Sequence, residues 1–474
     1  MLTMETLGAM MKSAAAYLES LSQLNRRVFV NGQQVEDVLA EPKCRPAAEA
    51  VAMTYALAET DRYRDLAQAT SSLTGEPVNR FTHLFTTPED LVLKIKLQRV
   101  LGQLTGTCFQ RCVGLDAMNA LAVATWENGP QSHRKFLHWL EGVQRRDEVI
   151  CGAMTDAKGN RRKRPGEQPD CFLRVVKRQK DGVIIRGVKL HQTGALNAHQ
   201  ILFMPGLGLR PGEEMFAIAG AVSVEAPGLT FVLGRQPSDD RKGTSDAGNI
   251  RYGGQEALII FDDVFIKSEH LFLDGEIDCA TSLMDVFSTY HRASYGGCKP
   301  GNLDVLIGAV TALVEQMELR TSSQVRDKLV EMVYLTESIS GLGLAASHQS
   351  HQHPSGQWLV DKTLANVCKQ AVTRLPYEVG RIAEDLAGGL VSTMPEMELH
   401  EHPEIGKWMH LATGGVHRAS LLRLVEYMTY GSGSVPLRIE CMHGAGSPAA
   451  QRIALQRCTP WEEKISMATR LLSF

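Results

Sequence analysis

The sequence predicts an α+β fold in which a helical N-terminal region, a central antiparallel β domain and a C-terminal helical bundle follow one another. Three observations predict it. Apolar residues recur at three- and four-residue intervals up to about residue 140; short β-branched runs bounded by Gly, Pro, Asn and Asp fill 149–267; and the helical period returns after Asp278. The domains expected from these shifts are 1–140, 141–280 and 281–474.

In the first region, residues 47–69 and 89–104 keep the helical period with few breakers, and Gly75, Pro77 and the Gly129-Pro130 pair punctuate it. In the second, the runs 172–177, 182–190, 217–224, 230–233 and 256–261 are rich in Val, Ile and Phe and spaced as antiparallel strands, with 237–254 as a solvated loop. In the third, residues 305–319, 326–347, 364–386 and 417–428 have lengths that suit a bundle, Pro376 kinking or splitting the third.

The chain has 474 residues, 44% hydrophobic and 22% charged, with a net charge of −3. That composition excludes collagen-like, mucin-like and disordered classes. Near-neutral charge argues against nucleic acid as the main partner. The opening stretch carries Glu5 and lacks a basic n-region and an A-x-A site, and no run of about eighteen apolar residues is present to span a bilayer. A cytoplasmic protein without a membrane partner is expected, and its ten cysteines are then expected to be free thiols, metal ligands or redox groups rather than disulfides.

Two segments carry chemistry. In Thr105-Gly-Thr-Cys-Phe-Gln-Arg-Cys-Val-Gly, Cys108 and Cys112 are four apart; on a helix they would share a face and reach one metal centre. A chain rich in cysteine also gives such a pair by chance, and a buried thiol packs as a small hydrophobe. In Tyr290-His-Arg-Ala-Ser-Tyr-Gly-Gly-Cys-Lys-Pro-Gly, His291 and Cys298 are two helical turns apart, with Tyr295 one turn after the histidine. Together these are four soft or borderline ligands, a number that suits zinc or an iron–sulfur cluster.

These two segments, with Glu440-Cys-Met-His-Gly-Ala-Gly-Ser-Pro, resemble the 4-hydroxybutyryl-CoA dehydratase branch of the 4-hydroxyphenylacetate 3-hydroxylase-like flavoproteins, over nearly the whole chain. The resemblance implies an acyl-CoA dehydrogenase-like fold, a [4Fe–4S] cluster on Cys108, Cys112, His291 and Cys298, and FAD held by the β domain and the C-terminal bundle. It implies a hydro-lyase that converts 4-hydroxybutyryl-CoA to crotonyl-CoA, with isomerisation of vinylacetyl-CoA as a related activity. The hydrogen β to the thioester carbonyl is barely acidic, and one-electron oxidation of the substrate acidifies it; the cofactors supply that step and the protein supplies placement and proton transfer. A histidine ligand is neutral and more labile than thiolate, which leaves one iron able to accept an oxygen ligand.

Within this picture His291 is the expected base, Tyr295 positions substrate or relays a proton, and Lys299 supplies charge near the hydroxyl or carbonyl. Glu440 matches a catalytic glutamate, and so does Glu256, which otherwise reads as a surface carboxylate. Thr155, Lys158, Thr193 and Asn197 are the FAD residues the resemblance implies, with Gly444 and Ser447 from the C-terminal turn; the match departs at Asn160, where the family often carries an acidic residue. The basic run at 161–164 reads as a solvated face or a phosphate contact, and the histidines at 348, 351 and 353 as a polar turn. A homo-oligomer, a tetramer by resemblance, is expected. The rival class is a reduced-flavin-dependent aromatic monooxygenase of the same fold, which needs no cluster.

Overall fold

A computed structural model describes residues 11–157 and 159–472. Among the described residues helices dominate as far as Arg146, eight strands lie between Ile150 and Asp274, and a helix of 40 residues, Ile277–Gln316, opens the C-terminal region. Ten strands form the two larger sheets. One has six strands in the order Gln33–Val35, Val28–Val30, Leu229–Leu233, Glu256–Lys267, Gly182–Thr193, Arg174–Gln179; the other has four, Leu271–Asp274, Ile218–Ser223, Gln200–Phe203, Ile150–Ala153. Ile185, Ile201, Phe203, Ile259 and Phe261 are buried in one core with strands from both sheets, and the Phe203 and Phe261 rings meet edge-on at 6.3 Å.

Two expectations are corrected. The N-terminal region is not wholly helical, because Val28–Val30 and Gln33–Val35 join the six-stranded sheet as a hairpin. Its two-residue connection is Asn31-Gly32, both with positive φ (52° and 80°), the pair that favours a type I′ turn. The β region is also not purely antiparallel. Val28–Val30 pairs parallel with Leu229–Leu233, and Ile150–Ala153 pairs parallel with Gln200–Phe203, because each pair is joined by a long excursion rather than a tight turn.

The long helix is the axis of the molecule. Pro300 lies inside it and removes the backbone donor that would have bonded the carbonyl of Gly296. Glycines let its neighbours approach to backbone distance. A Cβ on Gly301 would stand 2.2 Å from the Arg99 carbonyl of helix Pro88–Thr105, and one on Gly296 would stand 2.5 Å from Gly343 Cα of helix Ser323–His348. The expected third helix of the bundle is two, Lys362–Val372 and Leu375–Ala387, divided just before Pro376.

One helix among the described residues, Ser323–His348, is long and apolar enough to cross a membrane by length and composition, although charged residues interrupt it and no unbroken apolar run spans it. Met332, Leu335 and Ile339 on it are buried in the bundle core, which accounts for its apolar character without a bilayer.

Candidate active site

The first pair of thiols is set by a loop, not by a helical turn. Helix Pro88–Thr105 ends on Gly106 in the left-handed region (φ 60°), and the next helix begins at Cys112. Cys108 therefore lies in the connection, which corrects the expectation that it shares a helix face with Cys112. Gln110, itself at φ 64°, ties this connection down: its amide donates to the carbonyls of Ala47, Cys108 and Gly253 at 3.1–3.3 Å. The Arg111 guanidinium is buried between the Tyr55 and Phe81 rings, 4.8 and 4.9 Å away.

His291, Tyr295 and Cys298 follow one another along the long helix. Cys108, Cys112, Cys298 and His291 are 8%, 6%, 8% and 8% exposed, so all four are almost dry. Burial pushes the three thiols above their ordinary pKa, and for Cys108 the nearby Glu440, Cys112 and Cys298 push the same way. Three crowded, desolvated thiols do not ionise together without a cation among them.

The imidazole is oriented from behind. His291 Nδ1 lies 2.9 Å from Asp116 Oδ2; the carboxylate accepts, so Nδ1 carries the hydrogen and Nε2 keeps its lone pair. Asp116 is completely buried and also accepts from Lys94 Nζ (2.8 Å) and Ser294 Oγ (2.9 Å). Burial works to raise its pKa, and Lys94 and His291 outweigh that and hold it below the ordinary value. Among the described residues no three His, Cys, Asp or Glu side chains gather as the ligand shell of a single metal ion. A four-iron cluster takes one ligand at each corner, so its donors stand farther apart than those of one ion.

Glu440, Glu256 and Lys299 adjoin this donor set. Glu440 follows a π-helical segment, Val435–Ile439, and begins the short helix Glu440–His443 rather than an irregular turn; π segments are frequent at functional sites. Lys299 Nζ donates to Glu440 Oε2 at 2.9 Å and to the Pro436 carbonyl at 2.7 Å. Desolvation would lower the Lys299 pKa, but Glu440 and the neighbouring thiols outweigh it and raise it. A hydrogen bond links the two carboxyl groups: burial, then Glu440, pushes Glu256 well up, whereas Lys299 and Glu256 overcome burial and hold Glu440 down. Within the pair a proton is thus favoured on Glu256 over Glu440.

Tyr295 fills the space between these groups. Its ring meets His291 edge-on at 5.4 Å, its hydroxyl donates to the Glu440 carbonyl at 3.3 Å, and a Cβ on Gly444 would overlap that hydroxyl at 1.8 Å. Only glycine fits at 444. Thr193 donates to Glu256 at 2.7 Å. Asn197 is buried and donates to Gln110 Oε1 at 2.9 Å, its own Oδ1 unpaired among the described residues; Gln255, beside Glu256 and 1% exposed, has both amide atoms unpaired. Unpaired buried amides in this wall suit a polar ligand. Thr155 lends its carbonyl to the Leu190 N–H at 2.8 Å. Ser447 is exposed and its hydroxyl caps helix Pro448–Cys458 at the Ala450 N–H. Lys158 lies outside the described residues. Asp116, Lys94, Ser294 and Lys369 escaped the sequence reading; an aspartate inside the otherwise apolar helix Cys112–Glu127 was the one signal.

The chain matches the 4-hydroxyphenylacetate 3-hydroxylase N-terminal model over residues 13–273 and the C-terminal model over residues 280–473. It is 42% identical to the 4-hydroxybutyryl-CoA dehydratase/vinylacetyl-CoA-Delta-isomerase of Clostridium aminobutyricum, over 94% of this chain and 96% of that protein. The oxygen-tolerant archaeal 4-hydroxybutyryl-CoA dehydratase from N. maritimus superposes with a TM-score of 0.95 at 45% identity, covering 98% of this chain and 95% of that one. The oxygenase component of 4-hydroxyphenylacetate 3-monooxygenase complexed with FAD shares the fold at a TM-score of 0.84 and 20% identity, over 98% and 100% of the two chains. By fold, then, this is a mixed helix-and-sheet protein similar to the HpaB oxygenase structures. The chain belongs to the 4-hydroxyphenylacetate 3-hydroxylase family.

Proposed function

We propose that the protein is a hydro-lyase that dehydrates 4-hydroxybutyryl-CoA to crotonyl-CoA, releasing water, with FAD and a [4Fe–4S] cluster, and that it isomerises vinylacetyl-CoA at the same site. The observation that carries the reading is three buried thiols near enough to influence one another, and one carboxylate-oriented imidazole, in the surroundings of the Lys299–Glu440 ion pair. Similarity to two proteins named as this dehydratase supports the substrate.

Cys108, Cys112, His291 through Nε2, and Cys298 would hold the cluster; the cluster's positive irons would let these thiols ionise. Thr155, Lys158, Thr193, Asn197 and Gly444 would contact FAD, with the unpaired amide of Gln255 as a further partner. When bound, the flavin supplies reversible one-electron transfer and the cluster a Lewis-acidic iron for the substrate hydroxyl. The chain's own groups handle protons. Glu440, whose pKa Lys299 lowers, would accept one proton from the substrate, and Glu256, whose pKa is raised, would return one to the substrate or its leaving group, so the charge of the pair is restored over the cycle. Tyr295 keeps the face between His291 and Glu440 closed to water. A cytoplasmic homotetramer is the assembly and location we infer, since free thiols persist in a reducing interior.

Anaerobic purification with iron and sulfide quantification, followed by assay of 4-hydroxybutyryl-CoA, tests the reading. Cys298→Ala is expected to lose iron and dehydration together; activity retained without iron contradicts it. Protein that binds flavin but neither iron nor sulfide would favour the aromatic monooxygenase reading.

A further inference from the structure

We propose that Lys369 is a positioning residue for Glu440 and Tyr295, and that turnover depends on the hydrogen bonds its amino group makes to the backbone carrying Glu440. The inference rests on the reaction proposed above. Lys369 belongs to helix Lys362–Val372 and has no exposed surface. Its Nζ donates to the carbonyl of Glu440 at 3.1 Å and to that of Cys441 at 2.7 Å. The same atom stands 3.6 Å from the centre of the Tyr295 ring.

Packing alone does not call for a lysine here. Methionine or leucine would fill a similar volume without the cost of burying an amino group, a cost offset only where the donors are used. Every partner of this amino group belongs to the candidate active site. Glu440 is thereby held at both ends: Lys299 grips the carboxylate at 2.9 Å, and Lys369 grips the peptide behind it. The Glu440 carbonyl also accepts from the Gly444 N–H (2.8 Å) and the Tyr295 hydroxyl (3.3 Å), so the position of the whole Glu440–Gly444 turn against Tyr295 passes through the point that Lys369 holds. The turn follows a π-helical segment, whose altered bonding leaves carbonyls in need of outside donors.

The test compares Lys369→Met, which keeps volume and loses the donors, with Lys369→Gln, which keeps an N–H donor, both as cofactor-loaded protein. For Lys369→Met, kcat is expected to fall about 100-fold with KM within about threefold of the parent, at parental iron and flavin content and thermal midpoint. Hydrogen–deuterium exchange of residues 440–446 is expected to speed up while exchange elsewhere is unchanged, and Lys369→Gln is expected to recover part of both losses. The proposal is overturned if kcat stays within about threefold, if exchange at 440–446 does not change, or if iron and flavin are lost along with kcat. A parent protein that does not dehydrate 4-hydroxybutyryl-CoA would sink the reaction instead, and the exchange data alone would then decide on Lys369.

Discussion

At the residue scale, the chemistry rests on groups whose charge is set by their neighbours. Asp116 has no contact with solvent and serves His291 from behind, bonded on its other side to Lys94. Asp116→Asn removes the charge that fixes the imidazole and is expected to lower iron content and activity about 10–100-fold, read by iron quantification and dehydratase assay. The Glu256–Glu440 pair sets the pH response. Glu256 is raised above the ordinary glutamate value, so activity that needs its proton is expected to fall as pH rises through that raised value. Glu440 is lowered, so its carboxylate is lost only on the acid side of the ordinary glutamate range. Glu256→Gln cannot titrate; its pH–rate profile is expected to lose the alkaline limb while the rate drops by about 10²–10⁴-fold. Cys108, Cys112, His291 and Cys298 could be singled out in the sequence because their two segments carry a family resemblance and their side chains are soft or borderline ligands. Asp116, Lys94 and Lys369 could not, since a buried charge is recognised only by a partner distant along the chain.

At the element scale, the Gly-Gly-Cys-Lys-Pro-Gly stretch is as much a packing device as a ligand motif. A Cβ on Gly301 would clash with the Arg99 carbonyl, and one on Gly102 would stand 2.9 Å from the Cys298 carbonyl. Gly301→Ala must push two helix backbones apart and is expected to cost about 1–3 kcal/mol, measured as a lower denaturant midpoint at unchanged slope, with poorer iron retention because Cys298 lies one turn away. Helical period and β-branched runs revealed the order of the elements. They did not reveal the Asn31-Gly32 hairpin, whose strands are too short for periodicity and find their place only by pairing with Leu229–Leu233. Nor did the four-residue spacing of Cys108 and Cys112 report a helix, because Gly106 ends one before the first thiol.

At the scale of the whole molecule, the C-terminal helix Trp461–Leu472 buries none of its residues. Trp461, Ile465 and Leu472 are 53%, 57% and 76% exposed along one stripe, an apolar face that a second copy of the chain would cover. If the proposed tetramer uses this face, Ile465→Asp with Leu472→Asp is expected to shift it to smaller species in light scattering, with the flavin content of each chain reported alongside. The central claim, however, concerns the four donors between the loop at Cys108 and the long helix. Iron and acid-labile sulfide measured on anaerobically purified protein test it most directly. About four of each per chain is the expected result, falling together in Cys298→Ala; a flavoprotein with neither iron nor sulfide that still dehydrates 4-hydroxybutyryl-CoA would contradict it.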